Sequence, residues 1–166
     1  MPEVVFDTCV ISNFALAGAF GIPESLYRNK ARITNFVAAE ILRGIQAGHA
    51  RVGAIPKAVQ AGWLKETGLR PGKEKELFET LSVSRGLGEA SSLAVAKSRG
   101  FIFASDDRAA RAEAARLGVS LTGTVGILLK AVRGSICDLR TAEEYLNKMI
   151  QAGFFSPVRS VRETAR

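Results

Sequence analysis

Acidic side chains stand at four places where their type and surroundings could support chemistry. Asp7 follows "VVF", Glu40 lies inside the apolar stretch "FVAAEIL", Glu89 comes directly after Gly88, and the pair Asp106–Asp107 ends the run "FIFAS". Carboxylates brought together repel one another, and the usual stabilising partner is a divalent cation. Oxygen ligands with water in the remaining positions suit Mg2+ or Mn2+. Each acid also has a plain structural reading. Asp7 is a favoured N-cap type. Glu40 stands three residues before Arg43 and can pair with it on a helix surface. Glu89 in a first helical turn favours the positive end of the helix dipole. Asp106 or Asp107 starts the helix that follows. Only a fold that brings the four places together makes them a site.

The elements that must position these acids can be read from pattern. "EVVFD", "ARITN", "FIFAS" and "VSLTG" read as short strands, with one more expected near Trp63. Helices are expected over "VISNFALAG" (stopped by Gly18 or Gly21), "FVAAEILRGIQ", "GKEKELFETLSVSRG", "LGEASSLAVAKSRG", "DRAARAEAARLG", "TVGILLKAVRG" and "TAEEYLNKMIQAG". Residues 48–70 are harder, because "IPKAVQAGWLKE" mixes a proline break with that strand. Strands alternating with helices predict an α/β chain in three layers, α/β/α, around a central, mostly parallel sheet. In such a sheet ligands gather at the carboxyl ends of the strands, where Asp7 and Asp106–Asp107 stand. Residues 1–155 read as a single domain and residues 156–166, "SPVRSVRETAR", as a basic, mobile tail.

The 166 residues carry a net charge of +7, which favours polyanionic partners, nucleic acid first. Two cysteines, Cys9 and Cys137, have no paired spacing and predict neither a zinc site nor a disulfide framework, only buried, reduced thiols. "VISNFALAGAFGI" is too short to span a bilayer and follows an acid rather than a basic segment, so no membrane association and a cytoplasmic location are expected. The one histidine, His49, lies in a polar loop and reads as solvated. Phe36, Phe101 and Phe103 read as core. "LTGTVG" lacks the Gly-Lys-Ser/Thr ending of a phosphate loop.

Taken in order, these motifs resemble the PIN-domain family of nucleases. "VVFDT" matches its first-strand acid, Asp7, with Thr8 beside it. "AAEILRG" matches its helical Glu, here Glu40. "LGEASSLAVAKSRG" matches its third acid, and "FASDDR" its Ser/Thr-x-Asp, giving Ser105 and Asp107. The resemblance spans roughly residues 3 to 130 and looks closer to a branch apart from the commonest toxin-type members. The third acid, often Asp in the family, is Glu89 here. The resemblance implies metal-dependent hydrolysis of a phosphodiester, usually in RNA, with one or two Mg2+ or Mn2+ ions. Asp7, Glu40, Glu89 and Asp107 would be catalytic. Asp7, Glu89 and Asp107 would bind metal, with Glu40 either orienting a water or touching the ion. Thr8, Ser105 and Asp106 would support them. The Ser-x-Asp register points to Asp107 as the metal-facing acid and leaves Asp106 to cap or flank the helix or to assist from behind the ligands, a split that could be reversed. Arg43, Arg108 and Arg111 become candidates for phosphate contacts. The implied partners are RNA, an antitoxin protein if the chain is the toxin of a pair, and a second copy in a homodimer. The competing expectation is a catalytically inactive scaffold that binds RNA or a partner protein. Phosphotransfer folds fit poorly. A dehalogenase-like phosphatase wants Asp-x-Asp where Cys9 stands, and a receiver domain wants its acidic pair near the first strand.

Overall fold

A computed structural model describes residues 2–165. Five strands, β1 (Val4–Phe6), β2 (Ala31–Thr34), β3 (Leu64–Thr67), β4 (Ile102–Ala104) and β5 (Leu121–Thr122), form one sheet in the order β3-β2-β1-β4-β5. Every neighbouring pair is parallel. Parallel pairs need long crossovers. These are α1 (Thr8–Leu16) and α2 (Gly21–Tyr27), then α3 (Asn35–Gln46) and α4 (Ala54–Ala61), then α5 (Lys73–Ser82) and α6 (Leu87–Arg99), and last α7 (Arg108–Arg116). After β5 come α8 (Thr124–Arg133) and α9 (Leu139–Gln151). The α/β/α expectation holds, with the sheet parallel throughout.

Alternation along each strand feeds two cores. Val4 and Phe6 pack with side chains of α1, α8 and α9, whereas Val5 and Phe103 pack against α5, α6 and α7. Burial of a large apolar side chain stabilises by roughly 1.5–3 kcal/mol. The fully buried Phe6 and Phe103 therefore anchor β1 and β4, and with them the acids that follow.

The chain runs outward from β1 to β3, then returns to the other side of β1 for β4 and β5. The direction of winding thus reverses between β1 and β4. Their carboxyl ends flank the crevice where open α/β sheets bind ligands. Phe6 pairs with Ala104, and the Asp7 amide donates to the Ala104 carbonyl at 3.0 Å. That register sets Asp7 beside Ser105.

Two helices were not read from the sequence. The proline of "AIPKAVQA", read as a break, does not break structure, and Pro23 of "GIPESLY" is placed the same way: Pro23 and Pro56 are the third residues of α2 and α4. First-turn N–H groups have no helical partner, so proline loses nothing there. The strand expected near Trp63 begins one residue later, at Leu64.

Residues 156–163 of the segment set apart as a basic tail are anchored. Val161 is fully buried, and Glu143 of α9 accepts from the Ser160 hydroxyl at 2.7 Å and the Arg162 amide at 2.9 Å. On the opposite face, Arg99 at the end of α6 grips Glu74 of α5 through two hydrogen bonds, 3.0 and 2.6 Å long. It also donates to Thr67 Oγ1 and the Gly68 carbonyl, both at 2.7 Å. Among the described residues, no helix is long and apolar enough to cross a membrane.

Candidate active site

Asp7 leaves β1 and caps α1, its Oδ1 accepting from the Val10 amide at 2.9 Å. It is only 4% exposed. Burial above all lifts its carboxyl from an ordinary 3.8 to about 6. The Ser105 hydroxyl and the Val10 amide hold that rise back, while Asp106 and Asp107 add to it. Asp107 likewise caps α7, accepting from the Ala110 amide at 2.8 Å, and its own amide donates to Ser105 Oγ at 3.2 Å. Glu89 enters from the first turn of α6. Burial, followed by the charge of Asp107, pushes it up to about 7. Asp7, Glu89 and Asp107 line one cleft of about 180 Å³ with Thr8, Cys9 and Glu40.

Glu40 is held on both sides. The Thr8 hydroxyl donates to its Oε2, and the Gly88 amide donates to Oε1 at 3.0 Å. Glu40 therefore ties α1, α3 and α6 together at the cleft wall. Glycine at position 88 permits this approach, because a Cβ there would meet Glu40 Oε2 at 2.5 Å and the carboxylate would have to shift. The same joint is tightened by Thr34, which caps α3 and lies 2.7 Å from Ser91 of α6 through the two hydroxyls.

Asp106 turns away from the cleft. Its Oδ1 accepts from the Thr124 amide at 2.9 Å and its Oδ2 from Thr124 Oγ1 at 2.5 Å, so it serves the start of α8. Asn13 Nδ2, which sequence reasoning passed over, donates to Thr124 Oγ1 at 3.0 Å and reaches Asp106 Oδ2 at 3.4 Å. Asp106 thus caps a helix, but α8 rather than the adjacent α7, whose cap is Asp107 itself.

The arginines divide. Arg111 Nη1 donates to the carbonyls of Ser105 and Thr122 at 2.7 and 3.0 Å, stitching the ends of β4 and β5. Arg108 and Arg43 are exposed. Arg85, in the loop before α6, was not singled out in the sequence. Its Nε is buried without a hydrogen-bond partner, and its charge draws the Glu89 carboxyl back down. The thiols are less buried than expected: Cys9 is exposed on the cleft wall and Cys137 half-buried. Partial burial, with the charge of Asp7 behind it, pushes the Cys9 thiol up to about 11, so it stays protonated at neutral pH. Phe103 is core as read, whereas Phe36 is half-buried against Phe78 and Phe101 is half-buried. His49 is exposed.

A family model described as a PIN domain matches residues 3–166, nearly the whole chain. The chain belongs to the PIN-domain family. No curated protein and no solved structure matches it. PIN domains are in general nucleases, so the fold is of nuclease type. In this PIN domain the carboxyl ends of β1 and β4 carry the outer acids, and α6 brings the third to face them. A cation suits the set: Glu89 Oε1 is buried with no hydrogen-bond partner, and Asp7 and Glu89 are both held in part as acids by their surroundings. Among the described residues, no three Asp, Glu, His or Cys side chains stand close enough together to hold a metal ion as they are. An ion would have to draw the carboxylates inward.

Proposed function

We propose that the protein is a metal-dependent ribonuclease, an endonuclease that hydrolyses phosphodiesters in the cleft between β1, β4 and α6. One observation carries this: three carboxylates from separate elements share a single cleft, and one buried oxygen among them, Glu89 Oε1, lacks any partner. Asp7, Glu89 and Asp107 would hold Mg2+ or Mn2+. Such an ion, when bound, polarises a phosphoryl oxygen and makes a bound water acidic. The protein's own share is positional. The N-terminal amides of α1 and α7 aim Asp7 and Asp107, and Ser105 sits between them as a hydroxyl donor. Glu40, with both oxygens committed to Thr8 and Gly88, shapes the wall. Arg108, exposed next to Asp107, and Arg85, beside Glu89, supply the positive charge that a polyanion needs near an acidic cleft.

The open ligand arrangement favours a second reading, a scaffold that binds RNA without turnover. Incubation of mixed RNA with Mn2+ or Mg2+ separates the two. Cleavage is expected from the native protein, and Asp7→Asn should lower it by more than the roughly 10- to 100-fold typical of residues behind a metal's ligands. RNA binding without any metal-dependent cleavage would leave the scaffold reading in place.

A further inference from the structure

A second concavity opens on the far side of Asp107. It has a volume of about 540 Å³, and its walls include Asp106, Arg108, Arg111, Gly126, Phe155 and Pro157. The two cavities meet along the chain: Asp107 lines the carboxylate cleft and Arg108, the next residue, lines the groove. A strand whose phosphate lies at Asp107 has Arg108 as the next side chain along that wall.

Phe155 stands at the lip and is 96% exposed. Its backbone is nevertheless fixed on both sides. Phe154 before it packs against the core, and after it Val158 packs there too while Val161 is buried. The Ser156 hydroxyl donates to the Val158 carbonyl at 2.5 Å, and Glu143 holds Ser160 and Arg162. An aromatic ring presented on a fixed segment, beside a cation, has the makeup of a base-stacking platform. The charge balance agrees. Arg108 and Arg111 line the groove, Arg111 with its Nη1 bonded to the Ser105 and Thr122 carbonyls, so Arg108 is the exposed cation, whereas the Asp106 carboxylate is bonded to the Thr124 amide and hydroxyl.

We propose that this groove is a subsite for single-stranded RNA, in which a nucleotide flanking the cut stacks its base on Phe155 and sets its phosphate against Arg108. Stacking needs an unpaired base, so single strands are the ligand class and duplexes are not. The inference rests on the ribonuclease reading for its placement along a substrate, yet it is tested by binding alone.

The test is fluorescence anisotropy of a short, labelled, mixed-sequence single-stranded RNA without divalent cations, so that nothing is cut. Phe155→Ala is expected to weaken binding by about 10- to 100-fold, within the range of base–aromatic stacking. Phe155→Trp should bind like the native protein and Phe155→Leu like the alanine variant. Arg108→Ala should reduce the slope of log affinity against log salt by about 0.7, the loss of one phosphate contact on a single strand. Native affinity in Phe155→Ala, equal rescue by leucine and tryptophan, or no RNA binding by the native protein would overturn the proposal. So would a Phe155→Ala change in sedimentation, which would mark the ring as a contact between two copies. Failure of catalysis reads differently. Phe155-dependent binding without cleavage leaves the subsite standing and removes only the nuclease reading. Asp7-dependent cleavage with normal Phe155→Ala binding does the reverse.

Discussion

Asp7 works as a helix cap and as a charge held in the wrong environment. Its carboxyl lies at about 6 and that of Glu89 at about 7, above their ordinary 3.8 and 4.5. Between about pH 4 and pH 7 the folded protein therefore keeps protons that the unfolded chain has released. These groups take stability away as pH rises through that window, and the loss is complete above it. Asparagine caps a helix as well as aspartate does. Asp7→Asn should thus be the more stable protein at pH 7.5 without metal, by about 3 kcal/mol, or several degrees in Tm. At pH 4 the two should melt together. Adding Mn2+ should raise the native Tm and leave the variant's unchanged; parallel melting curves across pH would refute the account. The neighbouring pair allows a second test. Asp107→Asn keeps the α7 cap and should cost metal affinity, by more than about 10-fold. Asp106→Asn loses the charged acceptor at the start of α8 and should cost stability, about 1–2 kcal/mol, with metal affinity kept. Calorimetric titration and thermal melts read both, and the opposite pattern would put the metal-facing role on Asp106.

At the level of elements, the joint between α3 and α6 turns on Gly88. Alanine inside a helix ordinarily stabilises relative to glycine by up to about 1 kcal/mol. Here the added carbon would meet the Glu40 carboxylate, which also accepts from the Gly88 amide. Gly88→Ala should bring no gain in stability and should lower cleavage several-fold, read in melts and in kcat. A stabilised, fully active variant would show the joint to be slack. Much of this architecture could be read from the residues. Short apolar runs ending in acids gave β1 and β4, and glycines such as Gly100, left-handed at the end of α6, gave helix ends. α2 and α4 escaped because proline is neutral in a first turn, a position that pattern does not reveal beforehand. Asp7, Glu89 and Asp107 were legible because each follows a strand or opens a helix, and Glu40 because it interrupts the apolar stretch of α3. Asn13 and Arg85 were not, since a buried amide and an arginine turned toward a carboxylate look like any surface residue until the packing is known. The bond of Asp106 to the start of α8 was not legible, because its partner, Thr124, lies beyond an intervening helix and strand.

Across the whole molecule, the Arg99–Glu74 pair holds the layer that carries Glu89. Both side chains are nearly buried, so removing one leaves a charge uncompensated. Arg99→Met should destabilise by roughly 3–5 kcal/mol. The double variant Arg99→Met, Glu74→Leu should recover much of that loss; denaturant unfolding gives both values. A double variant no better than the single would mean that the bonds to Thr67 and Gly68 carry the stability. The strand order has a further consequence, in time rather than space. β1 is made first, yet one of its two neighbours, β4, begins at Ile102. A chain growing from its amino terminus therefore carries Asp7 and Glu40 until β4 has been made, with no cleft to put them in. No amino-terminal fragment that stops before β4 can contain the assembled carboxylates, so a nascent chain still inside the ribosome's reach is without the finished site.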